Sequence, residues 1–449
     1  MSTLVLDCTL RDGGYYTDWD FPQPLVDLYL DAMARLPVDT VEIGYCNHPC
    51  KGYFGRFYFL TPDDLGSMRR RLRPEQRLAV MLNAKDTDAT RVGGLLEGLQ
   101  GVVDIVRLAV PPSQLEDALD LAEAIHGMGF EVGFNLMYLS SYVEDTTLLQ
   151  PLARRAGLLG SLALVDSYGS CTPDQVARAV RGVRALLPGL TLGFHGHDNL
   201  GLAFANTLAA IEAGAEIVDA TITGMGRGAG NTRTELYMVY AASRGQSQLD
   251  HEALTPVVDA FEALKRSHQW GTNLPYMISG AAGLPQRDVM DWLSKNRYSV
   301  LSILRALQHE AGEAADLHTY PPLAPEELGQ REGADALLIG GGASVHTHGD
   351  ALARLARREG MVVVHANVRN LGEVQRFGPG QVVCLAGEAA LRLPPSEQLQ
   401  RVGALAVPSA PRLAGAVPAG LAHLTRQVTP FLGAARPDRK STRLNSSHG

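Results

Sequence analysis

The sequence lacks the features that mark membrane-spanning, secreted and disulfide-rich proteins. No window approaches the roughly 20 consecutive apolar residues of a membrane span, and the N-terminal MSTLVLDCTLRDGG has no charged start followed by an apolar block. The five cysteines are few, odd in number and scattered over 449 residues, which argues against a disulfide framework. These absences predict a cytoplasmic protein that makes no membrane contact.

Positive charge is also scarce. The chain has 40 lysine and arginine residues against 48 aspartate and glutamate residues, a net charge of −8, and no long basic run appears before its last residues. Nucleic acid is therefore not an expected partner. The spacing of Cys46 and Cys50 is compatible with zinc, but no second pair accompanies them, and we favour reduced thiols.

What the chain does contain is a regular alternation of short apolar runs and longer amphipathic segments from residue 3 to about 245. This pattern is typical of repeated βα units. The apolar runs are TLVLD (3–7), TVEIG (40–44), RLAVML (77–82), DIVRLAV (104–110), EVGFNLM (131–137), LALVD (162–166), TLGFHG (191–196) and EIVDATI (216–222). Eight such units predict a TIM (β/α)8 barrel, with an open doubly wound sheet as the alternative.

Beyond these units the chain changes character. Residues 250–308 have helical periodicity, and a strand (335–342), a helical segment and a second strand (361–368) predict a partial Rossmann-like α/β domain. The predicted division is a catalytic barrel at 1–248, a helical extension packing on it at 249–317, a proline-rich linker at 318–329, a truncated Rossmann-like domain at 330–434 and a disordered, non-native tail at 435–449.

Chemistry in such a barrel lies at the C-terminal ends of the strands. Strand 1 leads into Arg11 and Asp12, and strand 7 carries His195 and His197. Histidines at i and i+2 project to the same side of a strand, so both imidazoles reach one ion, and Asp12 is the natural third ligand. Glu42, in strand 2, is expected either to act directly or to orient a ligand or Arg11.

Two motifs, LDCTLRDGG and HGHDNLGLAFANTLAAIEAGAEIVDATITGMGRGAGNTRTE, resemble the metal-dependent DRE-TIM superfamily (HMGL-like), and favour its 4-hydroxy-2-oxovalerate aldolase branch. The resemblance spans about residues 4–300. It implies a divalent ion on Asp12, His195 and His197, with Arg11 at an enolate oxygen. It further implies Asn231 near or on the metal, Ser167 at the substrate carboxylate and Tyr276 as an active-site tyrosine.

The chain also departs from that branch. The similar bacterial aldolases carry an acid/base histidine three residues after the metal aspartate, where this sequence has Tyr15. A phenol with an ordinary pKa of about 10 is a poor base at neutral pH but a workable acid. In the loop at 47–59, Lys51 and Arg56 are candidates to hold a phosphate or second carboxylate, the alternative being a solvated loop with aromatic packing.

The C-terminal region offers a weaker motif. Gly340, Gly341, Gly342 and Ser344 lie between a strand and a helix, where backbone amides bind phosphate, although a simple tight turn explains them equally well. A nucleotide or sugar phosphate is the corresponding ligand. We reject His346 and His348 as a metal site, because no partner ligand is placed nearby by any visible pattern.

The predicted function is that of an aldolase acting on a 2-oxo acid such as pyruvate and an aldehyde through a metal-stabilised enolate. The expected ion is Mn²⁺, with Mg²⁺, Co²⁺ and Zn²⁺ as alternatives, and the expected assembly is a homo-oligomer. A Claisen-type condensing transferase that uses acyl-CoA, of the isopropylmalate synthase kind, is one alternative, and a non-catalytic binding barrel is the other.

Overall fold

The computed structural model describes residues 3–294, 300–310, 318–324, 335–385, 393–408, 417 and 419–428. The chain divides into two compact units, 1–300 and 301–449. The predicted tail at 435–449 lies outside the described residues, as do 325–329 of the predicted linker. The finer domain boundaries expected from the sequence stay a prediction.

The first unit is a closed barrel of eight parallel strands, in which each strand pairs with the next and the eighth pairs with the first. The strands are β1 (Leu4–Asp7), β2 (Thr40–Tyr45), β3 (Arg77–Asn83), β4 (Ile105–Val110), β5 (Glu131–Leu136), β6 (Ser161–Asp166), β7 (Thr191–Gly196) and β8 (Ile217–Ala220). The predicted TIM barrel is therefore confirmed.

Helices connect these strands and continue after them. They are α1 (Thr9–Asp12), α2 (Gly14–Thr17), α3 (Gln23–Arg35), α4 (Pro62–Arg69), α5 (Val92–Leu96), α6 (Leu115–Gly127), α7 (Gln150–Arg155), α8 (Pro173–Leu186), α9 (Ala203–Glu212), α10 (Thr234–Ser243), α11 (His251–His268), α12 (Leu274–Ala281) and α13 (Gln286–Ser294). None of the described helices of the chain combines the length and hydrophobicity that a membrane crossing requires.

Helix α8 shows how local sequence sets the start of a barrel helix. The Thr172 hydroxyl accepts a hydrogen bond from the Gln175 amide, and the Gln175 side chain accepts one from the Thr172 amide at 2.9 Å. This reciprocal cap satisfies two donors that the first turn would otherwise leave free, and Pro173 needs no donor at the first position. The predicted start of this helix is confirmed.

Asp7, at the end of β1, joins three parts of the barrel. Its fully buried carboxylate accepts hydrogen bonds from the amide and hydroxyl of Thr9, from Tyr29 of α3 at 2.6 Å and from Thr234 of α10 at 2.6 Å. Burial raises the pKa of Asp7, although these four donors oppose the rise. Asp7 therefore fixes the loop that carries Arg11 and Asp12, and it does not line the cavity that those two residues line.

The second unit contains a parallel sheet in which the strands follow chain order. Its elements are α14 (Val300–Glu310), β9 (Asp335–Ile339), α15 (Ser344–Thr347), α16 (Gly349–Ala356), β10 (Met361–His365), β11 (Gln381–Cys384), β12 (Val402–Pro408) and β13 (Thr425–Val428). The predicted α/β character is confirmed. The order is that of one half of a doubly wound sheet, and the described strands contain no reversal of direction across the sheet.

We expect Asp7→Ala to lower the free energy of unfolding by about 2–4 kcal/mol, because four buried donors lose their acceptor. Urea unfolding followed by circular dichroism measures the change. Asp117→Ala, which removes an exposed carboxylate on α6, is the matched control and should change stability by no more than about 0.5 kcal/mol. Equal losses in the two variants would contradict the role given to Asp7.

Candidate active site

A cavity of about 310 Å³ lies at the C-terminal ends of the barrel strands. Arg11, Asp12, His195 and His197 line it. Asp12 comes from the short helix after β1, whereas both histidines come from the end of β7. Barrel closure thus brings together residues that are more than 180 positions apart in the chain.

Three of these residues form a candidate metal centre. One ligand atom from each of Asp12, His195 and His197 lies within 4.8 Å of the other two, and all three residues are buried. Burial would raise the pKa of Asp12, but Arg11 and the two histidines hold it well below its usual range. Burial, with a smaller effect from His195, lowers the pKa of His197 to about 3. Both groups are therefore in the deprotonated form that binds metals.

Around this centre runs a closed circuit of buried polar groups, which we call the charge ring. Arg11 Nε lies 2.8 Å from Glu42 Oε2, and the same oxygen lies 3.4 Å from Arg107 Nη1. Arg107 Nη2 lies 2.6 Å from Asp219 Oδ2. The circuit closes through His195 to Asp12 and from Asp12 to Arg11 Nη1, the last contact being 2.5 Å.

The charge ring sets the tautomer of His195. Its Nδ1 lies 3.1 Å from Asp219 Oδ2, so Nδ1 carries the proton donated to that carboxylate and Nε2 is free to bind a metal. Burial alone would lower the pKa of His195, but the neighbouring carboxylates of Asp12 and Asp219 raise it overall. Metal binding at Nε2 requires the neutral imidazole, and with His195 in that form the two arginines and three carboxylates leave one net negative charge beside the candidate centre.

Asn231 lies against the same centre. Its Nδ2 donates to Asp12 Oδ2, and its backbone pairs with His197. A Cβ at Gly226 would lie 2.4 Å from Asn231 Nδ2 and 2.8 Å from Asp12 Oδ2. Only glycine at position 226 lets the chain approach the carboxylate this closely.

These residues fit a divalent cation. Two imidazoles and one carboxylate are a common donor set for such ions. The buried His197 Nδ1 and Asn231 Oδ1 have no hydrogen-bond partner in the described structure. The net negative charge of the ring further favours a cation at this position.

The structure distributes the other predicted site residues differently. Tyr15 and Ser167 line the cavity, and Ser167 Oγ accepts a hydrogen bond from the Tyr138 amide at 2.9 Å. Glu42 is fully buried behind Arg11, in the orienting position that the sequence left open. Tyr276 does not line the cavity; its hydroxyl lies 3.0 Å from that of Tyr16.

The structure does not bring Lys51 and Arg56 to the cavity. Lys51 is exposed, and Arg56 Nε lies 2.7 Å from Asp64 Oδ1. Aromatic packing organises their loop, with Phe54 stacked on Tyr58 at 4.4 Å and Trp19 against Tyr58 at 4.7 Å. The aromatic packing expected of this loop is present, and anion binding by Lys51 and Arg56 stays a prediction.

Sequence reasoning missed several residues of this site. Arg107 and Asp219 each interrupt an otherwise apolar strand, a signal that could have found them, because a buried charge needs a partner. Asn135 in β5 carries the same kind of signal. Lys85 and Arg227 lie in loops and line the cavity without any strand pattern to mark them.

The glycine turn of the second unit is a separate feature. Gly340 to Gly342 follow β9, and Asn370 Nδ2 donates to the carbonyl of Gly340 at 2.7 Å. Ser344 is the first residue of the four-residue helix α15, whose N-cap residue is Ala343, so the Ser344 side chain does not occupy the capping position. His346 Nδ1 lies 2.9 Å from Glu373 Oε1. Phosphate binding at this turn stays a prediction.

The fold and the metal-binding geometry are those of a (β/α)8-barrel metallolyase. Residues 113–260 match the HMGL-like family model. The chain is 30% identical over 337 residues to the 4-hydroxy-2-oxovalerate aldolase of Chloroflexus aurantiacus. The matched region covers 73% of this chain and 90% of that relative. It is 27% identical over 331 residues to the oxaloacetate decarboxylase of Mycobacterium tuberculosis, covering 72% and 94%.

Solved structures agree with this likeness. The N-terminal domain of a candidate aldolase from Bacteroides vulgatus is 44% identical, with a TM-score of 0.63, and the match covers 68% of this chain and 99% of that one. The carboxyl transferase domain of Rhizobium etli pyruvate carboxylase, at 16% identity and a TM-score of 0.55, shares the fold, with 74% of this chain and 59% of that one covered. The chain belongs to the HMGL-like family of DRE-TIM metallolyases and groups with its 4-hydroxy-2-oxovalerate aldolase branch.

We expect Asp219→Asn to weaken divalent-metal binding by about 10- to 100-fold, because the amide no longer fixes the tautomer and charge of His195. Isothermal titration of the metal-stripped protein with Mn²⁺ measures the affinity. Asp39→Asn alters a carboxylate that precedes β2, at the opposite end of the barrel, and should leave that affinity unchanged. Equal affinity in the Asp219 variant and the unmodified protein would remove the charge ring from metal binding.

Proposed function

We propose that this chain is a divalent-metal-dependent aldolase that forms or cleaves the adduct of a 2-oxo acid, such as pyruvate, and an aldehyde. One observation carries the proposal. The Asp12, His195 and His197 donors and the buried Arg11 guanidinium, whose Nη2 has no partner in the described structure, all face one cavity. The names of the curated relatives support the same reaction class.

The chemistry requires a place for negative charge. In cleavage the bond between C3 and C4 breaks, the C4 hydroxyl loses its proton as the aldehyde forms, and the electron pair enters the enolate of the 2-oxo acid. Proton addition at C3 then completes the reaction. A divalent ion held by Asp12, His195 and His197 would supply Lewis-acid stabilisation of that charge.

Arg11 is positioned to share this task. Glu42 and Asp12 hold two of its nitrogens, so the guanidinium cannot turn away, and its third nitrogen, Nη2, is buried with no hydrogen-bond partner in the described structure. A fixed donor of this kind needs no reorganisation when charge develops. We assign Arg11 to the enolate oxygen, and Ser167, from the opposite side of the barrel, to the substrate carboxylate.

Tyr15 is the proposed acid for the aldehyde half. It lines the cavity one turn after Asp12, and its ring packs edge-on against Trp19 at 4.8 Å. In the direction of bond formation the new alkoxide takes up a proton, which a phenol can donate at neutral pH. This assignment lets a tyrosine replace the histidine of similar aldolases in the synthetic direction.

We further propose Mn²⁺ as the ion, since a mixed set of one carboxylate and two imidazoles with open positions suits it. Asn231 is a proposed additional ligand through its unpartnered Oδ1. The five unpaired cysteines are compatible with work in the cytoplasm, and a homo-oligomer remains the expected assembly.

Exchange of the pyruvate methyl protons with deuterium tests the proposal, because it detects enolisation without the aldehyde. We expect exchange by the Mn²⁺-loaded protein, loss of exchange after chelation, and recovery when Mn²⁺ is returned. The His195→Ala, His197→Ala double variant should bind no Mn²⁺ and catalyse no exchange. Exchange that persists in this folded variant, or is absent from the loaded parent protein, would refute the proposal.

Arg11→Lys should lower the exchange rate by at least ~100-fold at saturating Mn²⁺, because a lysine ammonium lacks the planar fork whose separate nitrogens contact Glu42 and Asp12 and leave a third for an oxyanion. The control is Arg178→Lys, at a half-exposed arginine that pairs with Glu144 on the surface. Circular dichroism verifies that both variants are folded. A near-normal rate in the Arg11 variant would remove its guanidinium from the mechanism.

A further inference from the structure

The catalytic cavity holds more positive charge than the proposed reaction uses. Besides Arg11, it is lined by Lys85 and Arg227, and Asp12 is the only carboxylate among its lining residues. Neither Lys85 nor Arg227 forms an ion pair with any residue that the structure describes. Both cations are therefore available to a ligand.

Arg227 is held in place by its own loop. Gly226 packs against Asp12 and Asn231, and the Gly228 carbonyl accepts a hydrogen bond from the Tyr16 hydroxyl at 2.6 Å. Between these two anchors the Arg227 guanidinium lies 5.4 Å from the centre of the Tyr15 ring. This cation–π contact orients the side chain without neutralising it.

Lys85 reaches the cavity from another side. It follows β3 in a tight turn, where the Asp86 amide donates to the Asn83 carbonyl at 3.0 Å. Its side chain is exposed, so its ammonium is hydrated at little cost until a ligand arrives. Lys85 and Arg227 thus approach one cavity from the β3 and β8 sides of the barrel.

The charges of the ring, a divalent ion and a bound 2-oxo acid balance one another without Lys85 and Arg227. The charge ring contributes one net negative charge, a divalent ion adds two positive charges, and the carboxylate of a 2-oxo acid adds one negative charge. These contributions cancel. Lys85 and Arg227 then remain as two uncompensated positive charges in the cavity that holds the candidate metal centre.

We propose that the aldehyde substrate of this enzyme carries an anionic group, a phosphate or a carboxylate, which Lys85 and Arg227 bind. The inference rests on the proposed aldolase function and adds the class of its second substrate. It moves the role that sequence reasoning gave to Lys51 and Arg56 to two residues that line the cavity. Arginine and lysine are the usual partners of such anions in proteins.

The test measures aldol addition of pyruvate, by the Mn²⁺-loaded full chain, to three kinds of aldehyde. Glyceraldehyde 3-phosphate presents a phosphate, succinic semialdehyde a carboxylate, and glyceraldehyde and butanal are their uncharged counterparts. We expect kcat/KM to favour one anionic aldehyde over its uncharged counterpart by at least about 10-fold. The anion with the larger preference identifies the group.

Lys85→Met and Arg227→Met should each lower kcat/KM for the preferred anionic aldehyde by about 10- to 100-fold. Both should leave pyruvate proton exchange within about 2-fold, since neither residue contacts the charge ring. Arg227 packs on the ring of Tyr15, the proposed acid for the aldehyde half, so the readout for aldehydes is the ratio of kcat/KM for the anionic aldehyde to that for its uncharged counterpart, which both variants should lower. Arg91→Met, at an exposed arginine in the same β3 loop but outside the cavity, is the matched control.

The outcomes separate this inference from the proposed function. Intact pyruvate exchange with no preference for either anion, or equal losses for charged and uncharged aldehydes in both variants, overturns the anionic subsite alone. Absence of pyruvate exchange in the parent protein overturns both proposals. Loss of the charge preference in the two cavity variants, with the Arg91 variant unchanged, supports the subsite.

Discussion

The charge ring is the constraint on which the active site depends. Two arginines and three carboxylates are buried inside a barrel whose interior is otherwise mostly apolar, and each of these charges lies beside an opposite charge in the ring. Removing one partner strands another charge in a medium of low dielectric constant, a change that costs several kcal/mol. The ring therefore holds Arg11, Asp12 and His195 in one arrangement before any ion or substrate binds.

Much of the fold and of the metal centre could be predicted because the signals are local. The strand ends that carry Asp12, His195 and His197 follow recognisable apolar runs, and a barrel must bring all its strand ends to one rim. Thr172 and Pro173 likewise predict the start of α8, because the cap forms between Thr172 and Gln175, only three residues apart. Such predictions need the order of the elements and no detail of their packing.

The rest of the site could not be predicted in this way because it depends on side-chain direction. Tyr276 matches a family position, yet its hydroxyl is satisfied by Tyr16 within the protein. Arg56 follows a promising loop motif but pairs with Asp64 outside the cavity. Arg107 and Asp219 each stand out as a charged residue in an apolar strand. Only the closed barrel shows that they pair with each other and so link β4 to β8.

Gly226 has a consequence for how this enzyme could change over time. The backbone at Gly226 lies against the Asp12 carboxylate, a ligand of the candidate metal centre. This close contact also fixes the position of the next residue, Arg227, at the cavity. The Arg227 side chain itself contacts the Tyr15 ring and forms no ion pair with a described residue, while its neighbours hold the backbone. A substitution at residue 227 would therefore change which substrates bind, while the backbone around it and the Asp12, His195 and His197 centre stay the same.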